Sequence, residues 1–128
     1  MILDSSAVVA VMFKEPGYEH LIERLDRAGD LAIGAPTLVE ATIVSSARLG
    51  RDARGLVARF LQEAGISVVA FTDAHYTIAV EAWRRYGKGR HRASLNFGDC
   101  LAYAVARHAG KPLLCRGEDF ARTDLPLA

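Results

Sequence analysis

Short apolar runs alternate along the chain with longer stretches in which apolar residues recur at helical spacing. The short runs predict strands at residues 1–4, 31–34, 66–71 and 111–115, with a candidate short fifth strand at 125–128. The longer stretches predict helices at residues 6–13, 18–28, 36–49, 53–64 and 73–86, the last capped by Asp73. A sixth predicted helix is opened by Asn96 and ended by Gly110.

This alternation predicts the fold class. Strands that alternate with helices and lack hairpin signals are typical of an α/β domain, in which helices cover both faces of a parallel sheet. We therefore expect one three-layer α/β/α domain over residues 1–128, with a mainly parallel sheet of four or five strands. Its functional crevice should lie beyond the carboxyl ends of the strands, near the topological switch point. The predicted core of sheet and helices includes Leu31, Leu38, Ile43, Val68 and Leu113.

Composition is consistent with one globular domain. The chain has 128 residues, of which 51% are hydrophobic and 24% charged, which is enough for a single core and not typical of disorder. No apolar run reaches the roughly 18 residues that span a bilayer, and no secretory pattern opens the chain, so we expect a cytosolic protein without membrane contact. Cys100 and Cys115 form no CxxC pair and are predicted as buried thiols.

Positive charge is concentrated in one segment, although the formal net charge is only +1. Residues 82–98 contain no acid, and they include a glycine-rich loop with Lys88, Arg90, His91 and Arg92. A local positive field of this kind can attract a polyanion such as nucleic acid even when the molecule is nearly neutral. The alternative is a solvated basic loop.

Two acidic residues in the first part of the chain occupy unusual positions. Asp4 ends the first predicted strand, at the edge where the crevice is expected, although it could also cap the following helix. Glu40 has Ile43 and Val44 as its helical neighbours. An acid on such an apolar face is costly unless positive charge meets it, and the alternative is a side chain that reaches solvent from the edge of the face.

Two further acids follow in the second part. Asp99 has the N3 position of a capping box with Asn96, and beyond that role it is expected to point inward because its helix is largely apolar. Asp119 follows the fourth predicted strand and could equally be a turn residue. Glu118 and Asp124 lie close enough in sequence to share or replace the role of Asp119.

All four of these acids fall where a parallel sheet brings its loop ends together. Carboxylates within a few ångströms repel and raise one another's pKa values unless a cation neutralises them. A hard divalent ion with oxygen ligands relieves the conflict, and Mg²⁺ commonly serves phosphate chemistry in such sites. The sequence therefore predicts a magnesium site in which Asp99 is a ligand.

The chain resembles the PIN-domain ribonucleases and, within them, the VapC toxins of bacterial type II toxin–antitoxin pairs. The resemblance rests on the opening MILDSSA, on Glu40 in the stretch LVE, on YGKGRHRASLNFGDC at residues 86–100, and on GEDF at 117–120 with Thr123 and Asp124. These pieces span nearly the whole chain, and the central one is the most specific.

The resemblance implies a site and its chemistry. Asp4, Glu40, Asp99 and Asp119 would form an acidic quartet for Mg²⁺ or Mn²⁺, with Ser6 supporting Asp4 through its hydroxyl. The implied reaction is hydrolysis of a phosphodiester in structured RNA, transfer RNA above all, leaving a 5′-phosphate and a 3′-hydroxyl. Whether one or two ions act is open.

Partners are implied as well. A VapB-like antitoxin would fill the crevice with its C-terminal segment, and the toxin would form a homodimer. Lys88, Arg90, His91 and Arg92 would contact the RNA backbone. Trp83 and Tyr86 beside this loop are predicted as core or dimer-interface residues, with stacking on bases as the alternative.

Rival functions fit the sequence less well. A phosphoacceptor receiver domain needs paired acids after the first strand and a lysine after the last, whereas Asp4 is followed by Ser5 and Ser6, and Lys111 precedes its strand. A haloacid-dehalogenase-like phosphatase needs a D-x-D motif at Asp4. A PIN-like module that binds RNA or a partner without catalysis is the remaining alternative, and only the complete set of acids argues against it.

Overall fold

The structure is a computed structural model that describes every residue from Met1 to Ala128. The helices are α1 (Ser5–Met12), α2 (Tyr18–Arg27), α3 (Ala35–Leu49), α4 (Arg54–Ala64), α5 (Asp73–Tyr86) and α6 (Phe97–Ala109). The strands are β1 (Ile2–Leu3), β2 (Leu31–Gly34), β3 (Ile66–Val69) and β4 (Leu113–Leu114), and a 3₁₀ turn, Phe120–Arg122, follows β4. The predicted order of strands and helices is confirmed.

The four strands form one parallel sheet in the order β3-β2-β1-β4. In the centre of the sheet, Ile2 lies opposite Ala32 on one side and opposite Leu113 on the other. The candidate fifth strand is reduced to a single bridge between Leu113 and Leu127. The sheet therefore has four strands.

Side chains that alternate along the strands separate the core into two layers. In β1, Ile2 packs into a cluster with residues of α5 and α6, whereas Leu3 packs into a second cluster with residues of α1, α2 and α4. Leu113 and Leu114 of β4 divide in the same way. Both faces of the sheet are thus covered, which confirms the three-layer α/β/α arrangement.

Three local predictions are wrong. Ile43 is 63% exposed and Val68 is 50% exposed, because Ile43 lines an open groove between α3 and α4 and Val68 lies on the edge strand β3. The cap of α5 is Thr72 and not Asp73; its side chain and that of His75 form a reciprocal capping box.

The strand order places a topological switch point at the centre of the sheet. The chain leaves β1 for β2 and then β3 on one side, and returns through α5 and α6 to β4 on the other side of β1. Loops that leave the carboxyl ends of β1 and β4 therefore diverge and open a crevice between them. None of the helices is both long and apolar enough to cross a bilayer.

Candidate active site

Asp4 lies at the carboxyl end of β1 and is also the N-cap of α1. Its Oδ2 accepts hydrogen bonds from the Ser6 backbone N–H at 3.1 Å and from the Ser6 hydroxyl at 2.5 Å. The residue is only 4% exposed, and its Oδ1 is buried without a partner. Burial raises the pKa of this carboxyl, and the negative charge of Glu40 adds to the rise. The cap and the predicted crevice position are both found.

Ser6 ties Asp4 to the neighbouring strand. Its hydroxyl oxygen donates to Asp4 and accepts a hydrogen bond of 2.9 Å from the backbone N–H of Arg116, just beyond β4. One side chain thus connects the ends of the two strands that border the crevice. The guanidinium of Arg116 in turn pairs with Glu15, so Arg116 is a rim residue that the sequence did not single out.

Glu40 enters the crevice from the second turn of α3. Its Oε1 accepts a hydrogen bond of 2.6 Å from the hydroxyl of Ser5, and its carboxylate lies against the Cα of Gly98, where a Cβ atom would collide with it. The predicted reason for its importance is wrong, because Ile43 and Val44 are 63% and 38% exposed. Glu40 is on an open helix face and reaches the crevice from there.

Asp99 combines the capping role with a place in the crevice. Its backbone N–H donates to Asn96 Oδ1 at 2.8 Å, and its Oδ2 accepts from the Asn96 backbone N–H at 3.0 Å. Burial raises the pKa of its carboxyl to about 6, and the charges of Asp4, Asp119 and Glu40 contribute to the rise. The four acids of the sequence analysis therefore share one electrostatic environment.

Of the three acids that follow β4, Asp119 is the one that contributes to the raised pKa of Asp99. It is exposed at the start of the 3₁₀ turn, above the buried ring of Phe120, and its charge acts on Asp99. Asp124 is held elsewhere: the Tyr103 hydroxyl donates to it at 2.6 Å, and Arg85 and Arg107 lie at 3.6 and 3.5 Å. Its pKa is lowered by the Tyr103 hydrogen bond and by both arginines.

The four carboxylates do not close around a single point. No group of three or more carboxylate, histidine or cysteine side chains is close enough to hold a metal ion. Because like charges repel, Asp4, Glu40 and Asp99 are each turned toward a hydrogen-bond donor of the protein. The donor set nevertheless fits a hard divalent cation, since every group is a carboxylate oxygen and Asp4 Oδ1 has no other partner.

The thiol of Cys115 is affected by the negative charge of the same acids. Its pKa is raised to about 12 by burial, with Asp4, Asp99 and Asp119 adding to the rise. The negative charge of the three acids therefore extends to this thiol.

The predicted basic loop borders this crevice. Lys88, Arg90 and Arg92 are exposed, and the Arg90 guanidinium stacks over the Trp83 ring at 4.2 Å. His91 is engaged within the loop, since its Nδ1 accepts a hydrogen bond from the Ala93 N–H at 3.0 Å. The loop thus presents positive charge to solvent immediately before α6.

The basic loop is also connected to the turn that carries Asp119. Arg122 of the 3₁₀ turn donates to the backbone carbonyl of Arg92 at 3.2 Å. The two segments therefore lie side by side at the rim of the crevice, with basic groups on one and an acid on the other.

Comparison with known proteins identifies the family. A family model described as PIN domain matches residues 1–125. A VapC ribonuclease of Mycobacterium bovis and ribonuclease VapC36 of Mycobacterium tuberculosis are each 47% identical to the chain over 126 residues, covering 98% of this chain and 91% of theirs. The chain belongs to the VapC group of the PIN-domain family. The resemblance stated from the sequence motifs is confirmed.

Solved PIN-domain structures share this fold at much lower identity. The M. tuberculosis toxin VapC20, described as cleaving the sarcin–ricin loop, has a TM-score of 0.78 at 18% identity and covers 99% of this chain and 97% of its own. The VapBC2 complex of Rickettsia felis, bound to a promoter DNA fragment, has a TM-score of 0.77 at 17% identity, with 99% and 96% covered. These similarities establish the fold alone.

The PIN domain should lose stability as pH rises through the pKa of Asp99. This carboxyl has a folded pKa of about 6 against 3.8, so the folded state binds the proton more tightly. The resulting stabilisation is present below the lower value and is lost as pH rises through the higher one. With EDTA present, we expect the thermal midpoint of Asp99→Asn, measured relative to that of the parent protein, to increase as the pH is raised from about 4.5 to 7.5.

Asparagine suits this test because it keeps an oxygen acceptor for the Asn96 N–H and carries no charge. Asp26→Asn, at an exposed position of α2, is the matched control and should follow the parent at every pH. A midpoint difference for Asp99→Asn that does not change with pH would contradict the assignment.

Proposed function

We propose that this PIN domain is a metal-dependent endoribonuclease and the toxin of a type II toxin–antitoxin pair, acting in the cytoplasm. The observation that carries the proposal is the set of four carboxylates at the switch point, whose charges act together on Asp99. Family membership adds weight, because relatives that share 47% of the sequence are named ribonucleases. The alternative of a catalytically inactive binding module retains the same fold.

Asp4, Asp99 and Asp119 are the proposed ligands of Mg²⁺ or Mn²⁺. A bound divalent ion supplies Lewis-acid stabilisation of the charge that develops on the scissile phosphate. Ser6 fixes the Asp4 carboxylate through the hydroxyl contact described above. Glu40 orients the attacking water and accepts its proton, since its carboxylate faces the same crevice from α3.

The substrate is proposed to be a structured RNA, with transfer RNA as the first candidate. Lys88, Arg90, His91 and Arg92 would hold the RNA backbone beside the acids, and such contacts position an RNA without choosing its sequence. The description of VapC20 as a sarcin–ricin loop cleaving toxin makes ribosomal RNA the second candidate.

Cleavage of a total transfer-RNA pool tests the reaction. We expect the purified protein to give discrete fragments with Mg²⁺ or Mn²⁺ and none with EDTA. Asp99→Asn should cleave on the order of 100-fold more slowly, because it removes a charged ligand from the ion. Fragment ends are read by sequencing, and Asp26→Asn serves as the control.

If folded protein that is free of antitoxin cleaves neither transfer RNA nor ribosomal RNA, that result would favour the binding-only alternative. Cleavage that persists in EDTA would instead contradict the metal site.

The basic loop can be tested by the salt dependence of RNA binding, measured on the Asp99→Asn background so that the RNA stays intact. The side chains of Lys88 and Arg92 are exposed, and Lys88 also lines the groove between α5 and α6. Replacing both by glutamine should lower the slope of log affinity against log salt by about one to two, since each cation releases about one counterion. Arg59→Gln, at an exposed arginine paired with Glu63 on α4, is the control. An unchanged slope would exclude the loop from the RNA interface.

Two separate apolar surfaces support the proposed protein partners. The first is the groove between α3 and α4, lined by Leu38, Val39, Ile43, Val57 and Leu61. It lies beside Glu40 and suits the apolar face of an antitoxin helix whose end would continue into the crevice. We assign this groove to a VapB-like antitoxin. Toxin–antitoxin complexes are known for structural relatives from Klebsiella pneumoniae and Rickettsia felis.

The second surface is a stripe across α5 and α6, formed by Tyr76, Val80, Trp83, Phe97 and Leu101. Phe97 is 80% exposed and Tyr76 is 65% exposed, which is unusual for large apolar groups on one contiguous patch. We assign this stripe to the homodimer interface. Of the two aromatic residues considered from the sequence, Tyr86 is a core residue and Trp83 is 46% exposed on this stripe.

A reciprocal pair of variants separates the two assignments. Ile43→Asp should abolish copurification with the co-expressed antitoxin while the free toxin still sediments as a dimer, because a buried charge disrupts only the groove. Trp83→Asp should give a monomer that still binds antitoxin. Each variant controls for the folding of the other, and an exchange of the two phenotypes would reverse the assignments.

A further inference from the structure

We propose that Ser5 is a positioning residue for the Glu40 carboxylate, an inference that deepens and rests on the proposed nuclease function. The chain has two consecutive serines at the start of α1, and they serve different acids. Ser6 donates to Asp4, whereas Ser5 donates to Glu40 across 35 residues of sequence. The family resemblance implied a role for Ser6 only.

The Ser5 hydroxyl is the only hydrogen-bond donor to Glu40. The bond to Oε1 is short, at 2.6 Å, and no lysine, arginine or histidine forms an ion pair with this carboxylate. Glu40 also projects from a helix face on which Ile43 and Val44 are exposed. No apolar packing on that face prevents the side chain from swinging into solvent.

Repulsion between the Glu40 carboxylate and the neighbouring acids makes the hydrogen bond from Ser5 important for the position of Glu40. The charge of Glu40 contributes to the raised pKa values of Asp4 and Asp99, so repulsion between like charges opposes the gathering of these three carboxylates. A hydroxyl donor offsets this repulsion without adding positive charge. A positively charged donor would compete with a cation for the acids. Ser5 thus holds Glu40 inward and leaves the site negative.

Gly98 provides the space that this position requires. A Cβ atom at residue 98 would collide with the Glu40 carboxylate, whose atoms are its three nearest neighbours. The collision involves the far end of a flexible side chain, so an alanine there displaces Glu40 at little cost to the fold. Ser5 supplies attraction from one side and Gly98 supplies room on the other.

Kinetics on the RNA that the protein cleaves test the inference. Ser5→Ala is expected to lower kcat about tenfold with KM within about twofold, as for loss of a partner that orients a catalytic group. Ser5→Thr, which keeps the hydroxyl, should restore most of the rate. Ser67→Ala is the control, because that hydroxyl bonds a backbone carbonyl at the edge strand.

A double-mutant cycle shows whether Ser5 acts through Glu40. In the Glu40→Gln background, Ser5→Ala should cost little further rate, since the group that it positions is already impaired. An equal cost in both backgrounds would overturn the inference, as would a normal rate for Ser5→Ala alone.

Gly98→Ala approaches the same carboxylate from the opposite side. Its thermal midpoint should equal or exceed that of the parent protein, because alanine favours a helix over glycine, while kcat should fall about as far as in Ser5→Ala. Full activity in this variant would show that Glu40 does not need its place against residue 98.

Crystal structures of the parent, Ser5→Ala and Ser5→Thr proteins decide the inference independently of activity. The Glu40 carboxylate should lie against Gly98 in the parent and the threonine variant, and should leave it in the alanine variant. An unmoved Glu40 in Ser5→Ala would refute positioning. If no RNA is cleaved by any protein, the nuclease proposal fails and these structures still decide the role of Ser5.

Discussion

Repulsion among carboxylates gathered at one end of a small parallel sheet is the constraint on which the rest of this molecule depends. Four acids are gathered there, and burial together with the charges of Asp4, Asp119 and Glu40 raises the carboxyl pKa of Asp99 to about 6. Such a cluster opposes folding. The surrounding structure can be understood as a set of local responses to that opposition.

Each response uses a hydrogen-bond donor that bears no formal charge. The hydroxyl and the backbone N–H of Ser6 both donate to Asp4. The Ser5 hydroxyl donates to Glu40, and the Asn96 backbone N–H donates to Asp99. The arginines of this chain form ion pairs with other acids, among them Asp124, Glu15 and Glu63. Asp4, Glu40 and Asp99 therefore each have a hydrogen-bond donor, and none of these donors neutralises the negative charge of the crevice.

Much of this could be predicted from the sequence, because alternating apolar patterns and helix caps act locally. The order of elements, the parallel sheet, the Asn96–Asp99 capping box and the position of Asp4 at the end of β1 all follow from such local signals. Sequence alone could not show which side of α3 is buried. Ile43 and Val44 look like core residues by composition, but a groove between two helices leaves them exposed.

The role of Ser5 was missed for a different reason. Its partner is 35 residues away, and no periodic pattern encodes a contact between a helix start and the side of another helix. The choice among Asp119, Glu118 and Asp124 was likewise left open by spacing. The structure shows that Asp124 is engaged by Tyr103 and two arginines, which lie far from it in the sequence.

The hydrogen bond from Arg122 to the carbonyl of Arg92 has an evolutionary consequence. It uses a backbone atom, so any residue at position 92 preserves it, and the side chains of the basic loop are free to diverge as long as the loop keeps its length and path. Substitutions can thus change the charge of the loop without disturbing the neighbouring turn that carries Asp119. The charge of this loop can therefore vary by point substitution, whereas an insertion would disturb the hydrogen bond that joins the loop to the turn.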